Sequence, residues 1–500
     1  MKIAIRTDAS PQIGTGHLVR CQSLADALRL RGAQVTFVSR HLTEGAAERL
    51  EAAGHAVCRI RGAGATDELA HASWLGGAQD VDAAHTRAAL AGMRPDWLIV
   101  DHYALDRRWE HMLRDTAAGI LVIDDLADRQ HECDLLLDQS LSEDMATRYA
   151  DRTPAGTGQL LGPHYALLRP EFAAARGRRR DGQIRRVLVF FGGVDAANQT
   201  GRVIALLPQV LPATIEVDVV IGAGHPCRVQ IEADCSRSGY RCHIQTRRMA
   251  ELMAAADLAI GAGGTAVWER CCTGLPALAW PVADNQRLQV HTAAAAGLLH
   301  APEHVDCDDM ALARQIAALC ESPLWLRALS VAGAAAVDGG GVARVCRALG
   351  CTGVTLHRAA ATDADMLFEW RNCEAVRRVS RNSAPIERAT HDAWLSDTLS
   401  RVDRRLLVGV RDGVSLGVVR FDIAGDEAEV SIYLAPGKHR AGAGGDLLAA
   451  AERWLSLDST AGVCKIRAEV AGDNAPSRHM FLSAGYRPDT ARFYKRIASR

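Results

Sequence analysis

Two series of short apolar runs alternate with Ala- and Leu-rich helical segments, and this alternation constrains the fold of the chain more than any other feature. Uninterrupted runs of Val, Ile and Leu are typical of parallel strands that helices cover on both faces. The runs lie at residues 2–6, 34–39, 97–101, 119–124 and 134–137 in the first series, and at 186–191, 216–221, 242–245, 258–260 and 277–280 in the second. The sequence therefore predicts two Rossmann-like α/β halves with a cleft between them.

The composition and hydrophobic pattern of the chain change at two further places. Residues 151–184 are rich in Pro and Gly and include an arginine-rich run at 176–180, which predicts a solvated linker. After the glycines at 339–341, antiparallel strands are predicted at 405–411, 415–422 and 428–434, followed by a glycine loop, a helix, a strand and a last helix. Because 500 residues exceed what one core usually supports, we expect three domains, at 1–160, 161–350 and 351–500, the last of them α+β.

Charge and apolar patterning narrow the class of protein. The 58 Lys and Arg residues balance 59 Asp and Glu residues, which gives no support for a nucleic-acid partner. Charges at Arg6 and Asp8 interrupt any signal-peptide stretch, and no run of about 18 uncharged apolar residues suggests a membrane span. The cysteines form no paired C-x-x-C framework. We expect a cytoplasmic protein that needs no metal; its oligomeric state stays open.

The first predicted strand leads into a glycine loop and then a helix. Gly14 and Gly16 allow backbone N–H groups to approach a ligand, and His17 falls in the first turn of the helix. An imidazole near the positive end of a helix tends toward its neutral form, which can act as a base. The sequence favours a catalytic His17 facing the cleft, with a purely structural capping role as the alternative.

The second half offers glycine turns at two strand ends. Gly192 and Gly193 precede one helix, while Gly263-Gly264-Thr265 precedes another, with Glu269 one turn inside it. Glycines at a helix start are typical of diphosphate sites, and a carboxylate one turn further on can accept hydrogen bonds from ribose hydroxyls. Asn285-Gln286 is predicted either to close over the nucleotide or to form a self-satisfied turn.

Taken together, these motifs resemble the UDP-sugar hydrolase of pseudaminic acid biosynthesis, a relative of the GT-B glycosyltransferases. The resemblance covers about residues 1–350 and rests on the loop at 14–20, Asp101-His102-Tyr103, Ile123-Asp124-Asp125-Leu126, the turn at 191–195, the element at 263–269 and Asn285-Gln286. It implies hydrolysis of UDP-2,4-diacetamido-2,4,6-trideoxy-β-L-altropyranose without a metal, with His17 deprotonating the attacking water. The residues it implies for substrate and UDP are Gly14, Gly16, Arg20, Gly192, Gly193, Gly263, Gly264, Thr265, Glu269, Asn285 and Gln286.

From Leu356 onward the chain resembles the GNAT N-acetyltransferases, and more narrowly the one that acetylates UDP-4-amino-4,6-dideoxy-N-acetyl-β-L-altrosamine. The narrower match rests on Glu369-Trp370-Arg371-Asn372, the region 377–386 and His391-x-x-Trp394. The general match rests on the strand at 429–434 and the loop that follows it, which is expected to hold the acetyl-CoA pyrophosphate at a helix start. The residues implied for acetyl-CoA are His439, Arg440, Gly442, Gly444, Gly445 and Asn474.

The proton transfers of this third domain are less defined. Phe481 stands where many GNAT members have the tyrosine that protonates the leaving thiolate, so Tyr486, Tyr494 and water remain alternatives. Glu429 is expected either to act through water as the base for the attacking amine or to be a structural carboxylate.

The two resemblances describe consecutive steps, because the product of the acetyl transfer is the substrate of the hydrolysis. We therefore expect a bifunctional enzyme whose partners are UDP-sugar, water and acetyl-CoA. The alternative is a UDP-sugar-dependent glycosyltransferase carrying a non-catalytic CoA-binding or tethering domain.

Overall fold

The computed structural model describes residues 1–496 except 11, 63–67, 303–307, 381, 439–441, 471–473 and 490–491. The chain divides into two compact units. The first comprises Met1–Arg29 and Ala33–Val345, and the second Leu30–Gly32 and Cys346–Arg500.

The N-terminal half of the first unit is built on a seven-stranded sheet of order β3-β2-β1-β4-β5-β6-β7, in which every pairing is parallel. The strand order reverses between β1 and β4, so the loops after these two strands open at a switch point. The strands are β1 Lys2–Thr7, β2 Gln34–Ser39, β3 Ala56–Arg59, β4 Trp97–Asp101, β5 Gly119–Ile123, β6 Leu135–Asp138 and β7 Gly158–Leu161. The helices are α1 Gly16–Arg29, α2 Glu44–Ala52, α3 Gln79–Ala89, α4 Arg107–Met112 and α5 Pro170–Ala174.

The second half of this unit carries a five-stranded parallel sheet of order β10-β9-β8-β11-β12, with its switch point between β8 and β11. Its strands are β8 Arg186–Phe190, β9 Glu216–Ile221, β10 Arg241–Ile244, β11 Leu258–Ala262 and β12 Ala277–Trp280. Its helices are α6 Gln199–Val210, α7 Arg228–Ser238, α8 Met249–Ala255, α9 Ala266–Cys272, α10 Arg287–Ala295, α11 Asp309–Cys320, α12 Pro323–Ala336 and α13 Gly341–Ala348. The two apolar layers on this sheet centre on Trp268 and Phe191.

The second unit is α+β. Its sheet runs β13-β14-β15-β16-β17-β19-β18, and only the β16–β17 pair is parallel. The strands are β13 Thr355–Arg358, β14 Arg404–Arg411, β15 Val414–Ala424, β16 Glu427–Leu434, β17 Lys465–Glu469, β18 Arg487–Asp489 and β19 Arg492–Arg496. The helices are α14 Ala364–Asn372, α15 Glu374–Arg377, α16 Arg388–Ser400, α17 Ala443–Leu457 and α18 Ala475–Ser483.

All ten predicted parallel strands are present, and their ends agree to within two residues. Two strands of the first sheet were not predicted, Ala56–Arg59 and Gly158–Leu161. Each has four residues, and neither has more than one fully buried side chain, so neither carries the continuous apolar run that marks a central strand.

The prediction of a solvated linker at 151–184 is wrong. This segment contains β7 and α5, and Arg176, Arg178 and Arg180 bind main-chain carbonyls at the ends of helices. Arg180 is 9% exposed and donates to the carbonyls of Met253, Ala256, Thr273 and Gly274, at the C-termini of α8 and α9. A guanidinium at a helix C-terminus satisfies orphan carbonyls and complements the helix dipole. A count of charges along the sequence could not distinguish this use from solvation.

One stretch, Pro323–Ala348, is long and apolar enough to cross a membrane by length and composition, with half of its most apolar window buried. It comprises α12 and α13, separated at 337–340. A Cβ at Gly333 would lie 3.2 Å from Cα of Cys271, so α12 packs closely on α9. A core helix passes the same test, which makes the stretch weak evidence. The predicted lack of a membrane span is therefore not confirmed.

Candidate active sites

His17 lies where the loop after β1 becomes α1. The amide of Gly14, which has φ +79°, donates to the carbonyl of Ser10 at 2.8 Å, and this closes the turn. α1 begins at Gly16, so His17 occupies its first turn, as the sequence predicts. The side chain is 8% exposed.

Asp101, the last residue of β4, holds His17. Because β4 is the neighbour of β1, the switch point brings the two residues together: Nδ1 of His17 lies 2.6 Å from Oδ1 of Asp101. Burial alone would raise the pKa of Asp101, but Arg20 and His17 hold that pKa well below its usual range. The carboxylate is therefore ionised and accepts a hydrogen bond from Nδ1–H.

Arg20, one turn further along α1, bonds two carboxylates. Its Nε and Nη2 each lie 2.7 Å from an oxygen of Asp101, and its Nη1 lies 2.8 Å from Asp125. The side chain is 4% exposed. Two nitrogens on two oxygens form a bidentate pair, which fixes the plane of the carboxylate.

Three aromatic side chains stand beside His17. Tyr103 meets its ring edge-on at 4.6 Å between centroids, Trp74 lies at 6.4 Å, and His71 contacts both of these rings. The hydroxyl of Tyr103 donates to Asp125. Burial, followed by the nearby Asp125, raises the pKa of Tyr103 well above its usual value. Tyr103 is thus a neutral donor.

A cleft brings residues of both halves of the first unit together. It is lined by Gly16, Val19, Arg20, Gln139, Leu167, Leu168, Thr265, Trp268 and Glu269. A Cβ at Gly16 would lie 3.9 Å from Cγ2 of Thr265, which shows how closely the two loops approach. Four predicted site residues, Gly16, Arg20, Thr265 and Glu269, therefore share one cleft.

The helix that follows Gly192 and Gly193 is already capped by the chain itself. Asp195 accepts from the amides of Gln199 and Thr200 at 2.9 and 2.8 Å, and Asn198 accepts from Gly201 at 3.1 Å. Side-chain caps occupy the amides that an anion would need. The glycines remain at the strand end, Gly192 with φ +99°, but the N-terminus of α6 offers little to a phosphate.

The start of α9 differs, because Thr265 makes no side-chain capping bond there. Gly263 packs tightly, since a Cβ would come 2.0 Å from Val290. Gln289, which the sequence did not single out, donates from Nε2 to the carbonyls of Gly263 and Gly264 at 2.7 and 3.0 Å. These contacts fix the turn. The amides of Val267 and Trp268 already donate to the carbonyls of Gly264 and Thr265, so a ligand would bind the amides that precede them in the turn.

Asn285 and Gln286 lie in a short 3-10 turn, Asp284–Gln286. Oε1 of Gln286 accepts from the amide of Val282 at 3.1 Å, and a Cβ on Gly264 would lie 3.5 Å from its Nε2. Gln286 therefore stabilises its own turn and lies next to the glycine turn before α9. Its closure over a nucleotide stays a prediction. The exposed Asn285 lies beside it.

Glu269 faces the cleft from the first turn of α9. Burial, opposed by Arg169 and Arg270, raises its pKa from 4.5 to about 7. No hydrogen bond of its carboxylate to another side chain is found in the described part of the chain. The cost of burying this group without a partner is offset when a ligand supplies one.

In the second unit, α17 begins after Gly442, which has φ +82°. A Cβ at Gly444 would come 2.9 Å from Sδ of Met480, and one at Gly445 would lie 3.5 Å from Arg347. The two glycines therefore allow close packing on these side chains. Within the described residues no side chain caps the start of α17, so its first amides are available to a ligand. His439 and Arg440 lie outside the described residues.

Glu429 lies on β16 beside Arg467 of β17, at the parallel strand pair. Its Oε2 is 3.1 Å from Nη2 of Arg467, and both side chains line a small pocket with Ala468 and Glu469. The pocket is where a general base is expected, and Arg467 competes for that carboxylate.

Residues 354–487 match the family model described as an acetyltransferase (GNAT) domain. This part of the chain is a GNAT acetyltransferase domain. With the two parallel sheets of the first unit, the match confirms the expected fold class, a GT-B-like pair of Rossmann-like halves followed by an α+β GNAT domain.

Two curated proteins are similar to the chain. An uncharacterized protein of Methanocaldococcus jannaschii is 23% identical over 287 residues, which are 55% of this chain and 54% of that protein. The spore coat polysaccharide biosynthesis protein SpsG of Bacillus subtilis is 34% identical over 194 residues, 37% of this chain and 56% of that protein. The chain spans about half the length of the curated relatives it matches.

Two solved structures are similar to parts of the chain. MurG of Acinetobacter baumannii has a TM-score of 0.49 and 13% identity, and the match covers 70% of this chain and 99% of that structure. The spermidine N-acetyltransferase of Vibrio cholerae, in complex with CoA and spermine, has a TM-score of 0.27 and 17% identity, over 29% of this chain and 96% of that structure.

The residues considered for the thiolate proton of the GNAT domain are now placed. Phe481 is 3% exposed in the core, and Tyr486 packs against it at 4.9 Å between ring centroids and is 2% exposed. Burial, followed by Glu452, raises the pKa of Tyr486 well above its usual value. Tyr486 is therefore a poor proton donor to a bound thiolate, while the side chain of Tyr494 lies outside the described residues.

Asn474 has a local partner. It caps α18, its Oδ1 accepting from the amide of Ser477 at 3.1 Å. This bond leaves the amide group of Asn474 for a ligand such as acetyl-CoA, the role expected from the sequence.

Proposed function

We propose that the first unit hydrolyses a UDP-sugar and that the GNAT domain N-acetylates an amino UDP-sugar with acetyl-CoA. The observation that carries the first half is the cleft in which the turn around His17 meets the start of α9. It supports a ligand whose diphosphate lies on the α9 amides while its anomeric carbon lies near His17.

The hydrolytic step follows from the state of His17. Nδ1 is engaged by Asp101, so Nε2 is the nitrogen that takes a proton from water. The water oxygen forms a bond to the anomeric carbon, the bond from that carbon to the diphosphate breaks, and UDP leaves with the electron pair. The amides at Gly264 and Thr265 stabilise the charge that gathers on the diphosphate.

The acetyl transfer rests on the GNAT match and on the open start of α17. Its amides would bind the acetyl-CoA pyrophosphate. The amine attacks the thioester carbon after losing a proton, through water, to Glu429 or to solvent. The thiolate leaves and takes a proton from water.

We place these reactions in pseudaminic acid biosynthesis, with UDP-2,4-diacetamido-2,4,6-trideoxy-β-L-altropyranose as the hydrolase substrate. The motifs at 14–20 and 263–269 support this assignment, and SpsG, a polysaccharide biosynthesis protein by name, agrees with a sugar substrate. We propose that the reactions need no metal, as the resemblance implies.

The test is mass spectrometry of the products formed from UDP-4-amino-4,6-dideoxy-N-acetyl-β-L-altrosamine with acetyl-CoA. We expect free diacetamido sugar, UDP and CoA. His17→Asn should accumulate the acetylated UDP-sugar and slow UDP release by about a hundredfold or more, with UDP affinity unchanged, because only the base is lost.

Three outcomes would count against the proposal. Undiminished UDP release by His17→Asn removes the base assignment. UDP release that requires an added acceptor sugar favours a glycosyltransferase. Absence of CoA release from the folded protein indicates a non-catalytic GNAT domain.

A further inference from the structure

The environment of His17 assigns roles to two residues beyond the proposed machinery. We propose that Asp101 is a positioning residue that fixes the tautomer and orientation of His17, and that Arg20 holds Asp101 in place rather than binding UDP. The inference rests on the proposed function for its kinetic part, but its structural part can be tested without any turnover.

The first step of the argument is the proton between His17 and Asp101. At 2.6 Å, Nδ1 and Oδ1 must share a proton, because two lone pairs at that distance would repel. The carboxylate carries no proton of its own, since Arg20 forms a bidentate pair with it. Nδ1 therefore carries a hydrogen, and in the neutral form of the ring Nε2 is the nitrogen with the lone pair that a base needs.

The second step concerns the number of donors on Asp101. Besides Nδ1 of His17 and two nitrogens of Arg20, the thiol of Cys21 donates to Oδ2 at 3.3 Å. The carboxylate is fully buried, so these four donors replace its water shell. A carboxylate held on both oxygens cannot rotate, and it holds the imidazole in one plane.

The third step concerns Arg20, for which the sequence implied UDP binding. Each of its three nitrogens already bonds an aspartate, and Nη2 also lies 3.2 Å from Nδ1 of His17. Its charge is matched by Asp101 and Asp125, so a diphosphate would have to compete with two carboxylates. The guanidinium lines the cleft, yet the bond that each of its nitrogens makes is to an aspartate of the fold.

The negative charge of Asp101 has a chemical use. When Nε2 takes a proton from water, the imidazole becomes a cation, and a fixed carboxylate on the opposite nitrogen stabilises that cation. In the resting state the same carboxylate selects the tautomer in which Nε2 is free. Arg20 keeps Asp101 ionised and immobile throughout the step.

The structural test is nitrogen NMR of the full chain labelled with ¹⁵N-histidine, with His17→Gln used to assign the signals of His17. We expect the shift of a protonated Nδ1 and an unprotonated Nε2 near neutral pH. A proton on Nε2 instead would overturn the proposal, and this result needs neither a mutation of Asp101 nor an active substrate.

The kinetic test compares Asp101→Asn with Asp26→Asn. Asp26 lies on α1, the helix of His17, and forms another His–Asp pair, in which Nε2 of His55 lies 2.7 Å from Asp26. We expect Asp101→Asn to lower kcat for UDP release by about a hundredfold or more with KM little changed. Asp26→Asn should leave both constants as they are. Equal small effects of the two variants would overturn the positioning role.

The test of Arg20 separates positioning from binding. Arg20→Lys keeps the charge but loses the two-point contact, so kcat should fall while the Kd for UDP stays within about threefold. A rise of about tenfold or more in that Kd, with kcat unchanged, would show that Arg20 is a UDP ligand. If no UDP-sugar is hydrolysed at all, the proposed function fails, while the tautomer and UDP affinity still decide this proposal.

Discussion

The half-buried carboxylate of Glu269 gives a way to test for a ligand in the cleft. It lies in the cleft with a pKa raised to about 7, chiefly by burial. A ribose hydroxyl donates more strongly to this group when the carboxylate is ionised, because the hydrogen bond is then charge-assisted and contributes about 1.5–3 kcal/mol. The carboxyl is largely protonated at pH 6 and largely ionised at pH 8.

We therefore predict that Glu269→Gln weakens UDP binding about tenfold at pH 8, and much less at pH 6, where the native side chain is also neutral. Calorimetric titration of UDP at the two pH values measures this difference. Glu251→Gln, which removes an exposed carboxylate paired with Arg248, serves as the control. A loss of affinity that is the same at both pH values would contradict the ribose contact.

The sequence marked the glycines and His17 because a turn before a helix has a local signature. Asp101 belongs to one of the motifs that carry the resemblance, but the sequence pattern predicted no role for it. Asp101 is 84 residues from His17, and only the adjacency of β1 and β4 brings them together. Gln289 was missed for the same reason, since its partner carbonyls lie 25 and 26 residues away. A rule for parallel sheets, that the residue ending the strand beside β1 faces the switch point, would have selected Asp101.

Among the elements, the ends of helices decide which of the two glycine turns can take a phosphate. The sequence treated the starts of α6 and α9 alike. The structure distinguishes them, because Asp195 and Asn198 cap α6 while Thr265 leaves α9 uncapped. Whether a side chain turns back onto its own helix depends on its rotamer and neighbours, so pattern alone could not separate the two turns.

Arginine side chains bind the carbonyls at helix C-termini, and the loss of one of them should lower the stability of the first unit. Arg180 donates to five carbonyls at the ends of α8 and α9. Arg180→Met would remove all five bonds and leave the carbonyls of Met253 and Thr273 without the donor they have here, at a cost of about 3 kcal/mol. We expect the thermal unfolding of the first unit to begin several degrees lower.

The neighbouring Arg179 provides the matched control, because its side chain is exposed. Arg179→Met removes the same charge and adds the same methionine one residue away, and it should leave the unfolding temperature within about one degree. If both variants are equally destabilised, net charge rather than helix capping is the cause.

At the scale of the whole molecule, three domains were predicted and two compact units are found, with the chain passing from the first to the second between Val345 and Cys346. The two Rossmann-like halves share one unit, as a cleft between them requires. The sequence located the change of texture near residue 350 but could not count the contacts that join the first two halves, since these depend on side chains far apart in the chain.

Two units with separate sites should respond separately to their ligands. A ligand that binds only the native state stabilises it by RT ln(1 + [L]/Kd), about 2.7 kcal/mol at a hundredfold excess over Kd. We predict two transitions in differential scanning calorimetry of the full chain: UDP should raise the temperature of one, and CoA that of the other. His17→Asn should keep the response to UDP, whereas Gly445→Glu, which places a carboxylate at the start of α17, should lose the response to CoA. If either ligand raises the temperatures of both transitions, the unfolding of the two units is coupled, which would contradict this prediction.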